Sequence, residues 1–242
     1  IANVLLVAGV SSIVFPLAKP GGFIRRDSAV MIGVSFYFVF LCLKDALNRP
    51  AGATLLIGLV IVLIPTLRDA AKAQRYAAGQ PRPVSALGLP TRRRLITLFI
   101  VLGIIGLPVG ANLVVEGTVR IALSLGVSEA VVGLSIVAFA TSLPELATTV
   151  VAAYKKETDV AIGTIIGSNI FNLLAIMGVA AVASPRPIEV PTNFPYLDLP
   201  MMILAAILVS VFAWIGRPIG RRSGVVFTTL YVAYIAVVFS LA

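Results

Sequence analysis

Thr141-Ser142-Leu143-Pro144-Glu145 sets two hydroxyls, a proline and a carboxylate inside a run that is otherwise almost wholly apolar from Val127 to Ala153. An ionisable side chain at membrane depth is costly, and by default it marks an ion or proton path. On a helix Thr141 and Glu145 are four residues apart and Ser142 and Glu145 three, so all three project from one face. Pro144 has no N–H and its ring clashes with the Ala140 carbonyl, so the helix should kink there and free a carbonyl oxygen. Carboxylate, hydroxyls and a freed carbonyl form an all-oxygen environment suited to hard cations such as Na⁺ and Ca²⁺. The next apolar run, Val160 to Val182, carries Gly167-Ser168-Asn169-Ile170-Phe171-Asn172. Ser168 and Asn172 make a second polar pair four residues apart, while Gly163 and Gly167 permit a neighbouring helix to approach closely. A competing reading keeps Glu145 protonated in a polar helix contact, with Ser and Asn acting as interhelical glue.

Such side chains need bilayer-crossing helices to hold them, and composition supplies these. The 242 residues are 59% hydrophobic and 12% charged, with no histidine. A soluble domain carries roughly 25% charged residues. The fold class is therefore all-α, a multi-spanning membrane protein. The single cysteine, Cys42, excludes an intrachain disulfide and a thiolate metal cluster. With no nucleophile–base pair and no phosphate loop, an enzyme is not expected, and no cofactor is implied.

Hydropathy places seven full spans after an opening partial one, at about 28–43, 51–67, 95–125, 127–154, 159–183, 199–215 and 224–241. The polar stretch Arg68–Arg94 reads as a loop between two halves. Ile1 to Phe15 reaches only about 22 Å before Pro16, short of a bilayer core of about 30 Å. The start of that helix is expected upstream, and the chain reads as a piece of a longer one.

Fifteen of the 19 lysines and arginines fall in loops on one side, and only Lys44, Arg49, Arg120 and Arg186 on the other. The positive-inside rule then puts the Arg68–Arg94 loop in the cytoplasm and the C-terminus outside. The excess charge reads as a topology signal that also suits anionic lipid, not as a nucleic-acid surface. The chain also repeats itself. Ile1-Ala2-Asn3-Val4-Leu5-Leu6-Val7-Ala8-Gly9-Val10 aligns with Ile170-Phe171-Asn172-Leu173-Leu174-Ala175-Ile176-Met177-Gly178-Val179, and the same register pairs Pro16 with Pro185. An odd number of helices between equivalent positions makes the second copy cross in the opposite sense. The expected organisation is a first inverted repeat in 1–67, a cytoplasmic linker in 68–94 and a second repeat in 95–242, with the site near the midplane on broken helices.

Gly133 through Leu146, followed by Asp159 through Asn172, resembles the second alpha repeat of the sodium/calcium exchanger family of cation antiporters. The likeness spans about fifty residues almost without gaps, and is far more specific than an isolated glycine motif. It implies ten helices with outward termini in a plasma membrane. The first two helices and part of the third would precede Ile1 and be needed to complete the site. Carried over by position, it makes Glu145 the carboxylate shared by Ca²⁺ and Na⁺, and Thr141 and Ser142 hydroxyl or carbonyl ligands. Ala138 becomes a backbone-carbonyl ligand, Ser168 a Na⁺ ligand and Asn172 the polar group of the central site. Asn3 is the first-repeat counterpart of Asn172. Some members carry Asp where this chain has Asn172, and Asn is frequent at the place of Thr164. The span 95–125 would be a sliding gate helix. The resemblance implies exchange of Na⁺ for Ca²⁺ by alternating access. A proton- or K⁺-dependent antiporter of the same superfamily and a non-transporting fragment remain the alternatives. Elsewhere, Glu116 and Arg120 read as a surface pair or as an outer lure for cations, Asp159 as a helix N-terminal charge, and Tyr231 and Tyr234 as packing residues.

Overall fold

A computed structural model of the chain describes residues 1–18, 21–44, 47–77, 93–124, 126, 138–191 and 194–241. Its helices are α1 (Ala2–Val14), α2 (Gly22–Leu43), α3 (Arg49–Ala77), α4 (Arg93–Ser124), α5 (Ala138–Thr141) and α6 (Leu143–Tyr154). Then follow α7 (Thr158–Phe171), a π turn at Asn172–Ile176, α8 (Met177–Ala183), α9 (Asp198–Ile215) and α10 (Arg221–Leu241). In hydrocarbon every backbone N–H and C=O must be satisfied within its own segment, and the helix does this. Six helical segments among the described residues are long and apolar enough to cross a bilayer. The expected span 127–154 is not among them, because it is broken at Ser142 and its residues 127–137 lie outside the described ones. Gly133 to Val137 of the family-like motif fall in that same stretch.

Two boundaries differ from the hydropathy reading. α3 continues through Ala77, ten residues into the stretch read as a loop. Leu67-Arg68-Asp69-Ala70-Ala71-Lys72-Ala73-Gln74-Arg75 is too polar for a membrane but rich in strong helix formers, so the helix runs on past the apolar part. α2 likewise begins at Gly22 rather than near residue 28. α4 stands apart. None of the side chains of its Arg94–Ile121 span is buried, and Phe99, Ile104 and Leu113 are among its exposed apolar groups.

The core lies where α1 is enclosed by α6, α7, α9 and α10. Pro16 ends α1, holding Phe15 extended at φ −133° and ψ 109°. The loops then pair at the two ends of the bundle. On one face Leu17 and Ile219 exchange backbone hydrogen bonds at 3.0 and 3.1 Å, and Gly21 N–H donates to the Asp159 carboxylate at 2.7 Å. On the opposite face Ile188 N–H donates to Leu47 at 2.9 Å and the Arg49 guanidinium to Ser184 at 3.3 Å. The first of these faces carries Lys155, Lys156, Arg217, Arg221 and Arg222, and is called the basic face below.

Two helix pairs frame the bundle. α1 packs on α10, and α8 packs on α3. Both contacts close on glycine. A Cβ at Gly9 would meet Thr228 N at 2.9 Å and Gly224 O at 3.1 Å, and one at Gly52 would meet Gly178 O at 2.8 Å. Small residues let helix backbones touch where no water-driven force holds them together. Gly9→Val and Gly52→Val should each destabilise the protein by about 1–3 kcal/mol, as overpacking commonly does. The check is a fall in melting temperature in detergent. Gly33→Val should leave it unchanged, since a Cβ there meets nothing within 4 Å.

Candidate cation site

The site begins at the interruption between α5 and α6. Ser142 N–H donates to Phe139 three residues back, at 3.1 Å, and Ser142 O accepts from Leu146 at 2.9 Å. The break thus falls at Ser142, two residues before the proline that was expected to mark it. Pro144 stands in the first turn of α6, where a missing N–H leaves no bond unmade. Glu145 follows it in that same first turn, at the positive end of a helix dipole that favours its carboxylate. Ser142 keeps right-handed helical angles, φ −90° and ψ −5°. Thr141, Ser142 and Glu145 therefore still face one cavity.

That cavity, of about 800 Å³, is also lined by Asn3 from α1 and by Asn169 and Asn172 from α7 and its π turn. Asn3 links the three helices. Its Nδ2 donates to Glu145 Oε1 at 3.5 Å and to Ser168 Oγ at 3.3 Å. Ser168 reaches the carboxylate through Asn3, while the residue sharing the cavity wall with Asn172 is Asn169. The Asn169 amide N–H donates back to Ile165 at 2.8 Å, which leaves its side-chain oxygen as the acceptor on offer. Ala138 is the first residue of α5, one turn before Thr141. Glu145 Oε2 is buried and has no hydrogen-bond partner. An unpaired carboxylate oxygen in so apolar a setting demands a proton or a cation.

Three further cavity residues escaped the sequence reading: Glu189, Asp198 and, as a functional neighbour, Tyr234. Glu189 belongs to the chain between α8 and α9, which folds back over the cavity on the side opposite the basic face. Asp198 opens α9 and accepts a hydrogen bond from the Tyr234 hydroxyl. Among the described residues no lysine or arginine lines the cavity, whereas Glu145, Glu189 and Asp198 all do. Such a wall focuses positive ions. Among the described residues no three His, Cys, Asp or Glu side chains converge on one point. The site is therefore one carboxylate supplemented by neutral oxygens, with two more acids farther along the wall. Glu116 and Arg120 form an exposed pair 3.9 Å apart, outside the cavity lining.

Comparison with known proteins agrees with this geometry. The pattern of the family described as sodium/calcium exchanger protein matches residues 95–240. The chain is 32% identical over 245 residues to inner membrane protein YrbG of Escherichia coli (strain K12), covering 100% of this chain and 75% of the relative. It is 33% identical over 249 residues to putative antiporter CaxA of Alkalimonas amylolytica, covering 99% and 76%. A solved structure of the sodium-calcium exchanger NCX_Mj, soaked with zero Na⁺ and Ca²⁺, superposes with a TM-score of 0.74 at 27% identity, covering 97% of this chain and 72% of that one. A cavity with one broken-helix carboxylate, the matched family pattern and the shared fold lead to one assignment: the chain belongs to the sodium/calcium exchanger family of multi-spanning membrane transporters.

Proposed function

We propose that this chain acts as a secondary antiporter that moves Ca²⁺ outward across the plasma membrane against Na⁺ moving inward, by alternating access. The basic face is cytoplasmic and the Glu189 side extracellular, as the lysine and arginine bias requires. Residues 1–67 and 95–242 act as two inverted repeats joined by the 68–94 linker, and the cation site lies where they meet. Glu145 binds either Ca²⁺ or Na⁺, never both, and that exclusion couples the fluxes. Thr141 and Ser142 supply hydroxyl or carbonyl oxygens, Ala138 a backbone carbonyl, Ser168 a Na⁺ ligand, and Asn172 and Asn3 neutral amide oxygens. The Asn3 amide nitrogen donates to Glu145 and Ser168.

The observation that carries this reading is Glu145 itself, with Oε1 held by Asn3 at 3.5 Å and Oε2 buried without a partner. Calorimetric titration of the purified transporter with Ca²⁺ at rising Na⁺ tests it. Competition predicts an apparent Kd for Ca²⁺ that climbs with Na⁺. A Kd indifferent to Na⁺ would remove the shared carboxylate from the scheme. Asn172 favours a second reading, because a neutral amide there offers less charge to a divalent ion than an aspartate would. In that reading K⁺ or H⁺ joins the exchange, and imposing either gradient without Na⁺ distinguishes it.

A further inference from the structure

A carboxylate inside a membrane span is costly, so each one needs a partner or a task. Among the described spans most have a plain partner. Asp27 pairs with Arg26 at 3.4 Å, Glu116 pairs with Arg120 at 3.9 Å, and Asp159 accepts from Gly21 N–H at 2.7 Å. Glu145 is the carboxylate of the cation site. Asp198 is left over. It stands half-buried in the first turn of α9, where it accepts the Tyr234 hydroxyl from α10. A phenol is a neutral donor, so the charge of Asp198 stays uncancelled.

Its position gives that charge a task. α9 is 18 residues long, about 27 Å at helical rise, and ends at Gly216 beside the basic face. Asp198 therefore lies toward the opposite end of the bundle, on the wall of the cavity that Glu145 and Asn172 also line. The Ile1 nitrogen, two residues before Asn3, is within Coulombic reach of the Asp198 carboxylate. Asn3 in turn meets Glu145 at 3.5 Å. Among the described residues no three acids converge, so Asp198 does not join Glu145 and Glu189 in one ligand cluster. It is a charge in the same cavity, anchored to α10 by Tyr234. Such a charge acts through space on every cation there, in proportion to the charge of that cation.

We propose that Asp198 is a specificity-determining residue of the exchange, a fixed charge that favours divalent over monovalent cations in the cavity without ligating either. It offsets part of what the neutral Asn172 withholds from Ca²⁺. A unit charge about 10 Å from a monovalent ion, in a medium between protein and water, changes its local concentration about threefold. The charge of the ion enters as an exponent, so a divalent ion changes by the square, about ninefold. Valence is the property by which a diffuse field tells Ca²⁺ from Na⁺. Tyr234 is the positioning residue that holds the charge in the wall. This role rests on the exchange proposed above.

The test is calorimetric titration of the intact purified transporter with Ca²⁺ alone and with Na⁺ alone, at several concentrations of choline chloride. Asp198→Asn can still accept the Tyr234 hydroxyl but carries no charge. Its apparent Kd should rise about threefold for Na⁺ and about ninefold for Ca²⁺. Both shifts should shrink as choline chloride is raised, because salt screens a distant charge. Asp198→Glu should restore both values. Tyr234→Phe breaks the same hydrogen bond and keeps the charge, so it should lower the melting temperature without the squared relation between the two shifts. Equal shifts for Na⁺ and Ca²⁺ in Asp198→Asn, or none, would overturn the role. So would a loss of Ca²⁺ binding that choline leaves untouched, the mark of a direct ligand. The squared relation in a transporter without Na⁺-driven Ca²⁺ flux would keep the role of the charge and reject the exchange.

Discussion

Glu145→Gln should abolish Na⁺-driven Ca²⁺ transport while leaving the protein folded. Glutamine keeps the length of the side chain and can still meet the Asn3 amide, so packing of α6 against α1 survives. The negative charge does not. At an effective dielectric of 20, one unit charge 4 Å from a monovalent cation contributes about 4 kcal/mol, and a divalent cation doubles that. The monovalent figure alone is about a thousandfold, at 1.4 kcal/mol per tenfold, and sets the minimum loss expected in Ca²⁺ affinity. Radiolabelled Ca²⁺ uptake into Na⁺-loaded vesicles reads the effect directly. Retained uptake would mean that the competing reading, a protonated carboxyl in a helix contact, is the correct one.

Asn172→Asp should act in the opposite sense. Asn172 opens the π turn and lines the same cavity as Glu145. A second carboxylate there would supply the charge that a divalent ion favours and a monovalent ion needs less. Binding of Ca²⁺ should tighten about tenfold, ~1.4 kcal/mol, and more Na⁺ should be required to displace it. Calorimetry on the purified variant measures both. An unaltered Ca²⁺ Kd would place Asn172 outside the coordination sphere.

Much of this architecture was legible because lipid enforces simple rules. An apolar stretch as long as Val225–Leu241 has few alternatives to a helix, and a proline preceded by Thr-Ser in such a stretch breaks it. The break itself lies at Ser142, since a proline is better tolerated in the first turn of a new helix than within an old one. Asn3 beside Glu145 and Ser168 was prefigured only through the repeat, which aligned Asn3 with Asn172. The extension of α3 to Ala77 was hidden because hydropathy reports where lipid ends, not where the helix does. Glu189 and Asp198 carry no periodic signal. Their presence in the cavity comes from how the segment before α9 folds back, a tertiary fact with no local code. Asp159 read as a helix-dipole charge, whereas its carboxylate also holds Gly21 N–H at 2.7 Å and so fastens the α1–α2 loop to α7.

The central claim is that one carboxylate at a broken helix couples two ions. Ca²⁺ flux in proteoliposomes bearing the intact transporter, with the Na⁺ gradient reversed between otherwise identical samples, tests it most directly. The account predicts that Ca²⁺ flux reverses with the Na⁺ gradient and disappears in Glu145→Gln. Ca²⁺ flux that ignores the Na⁺ gradient, or that follows an imposed pH gradient instead, would contradict it.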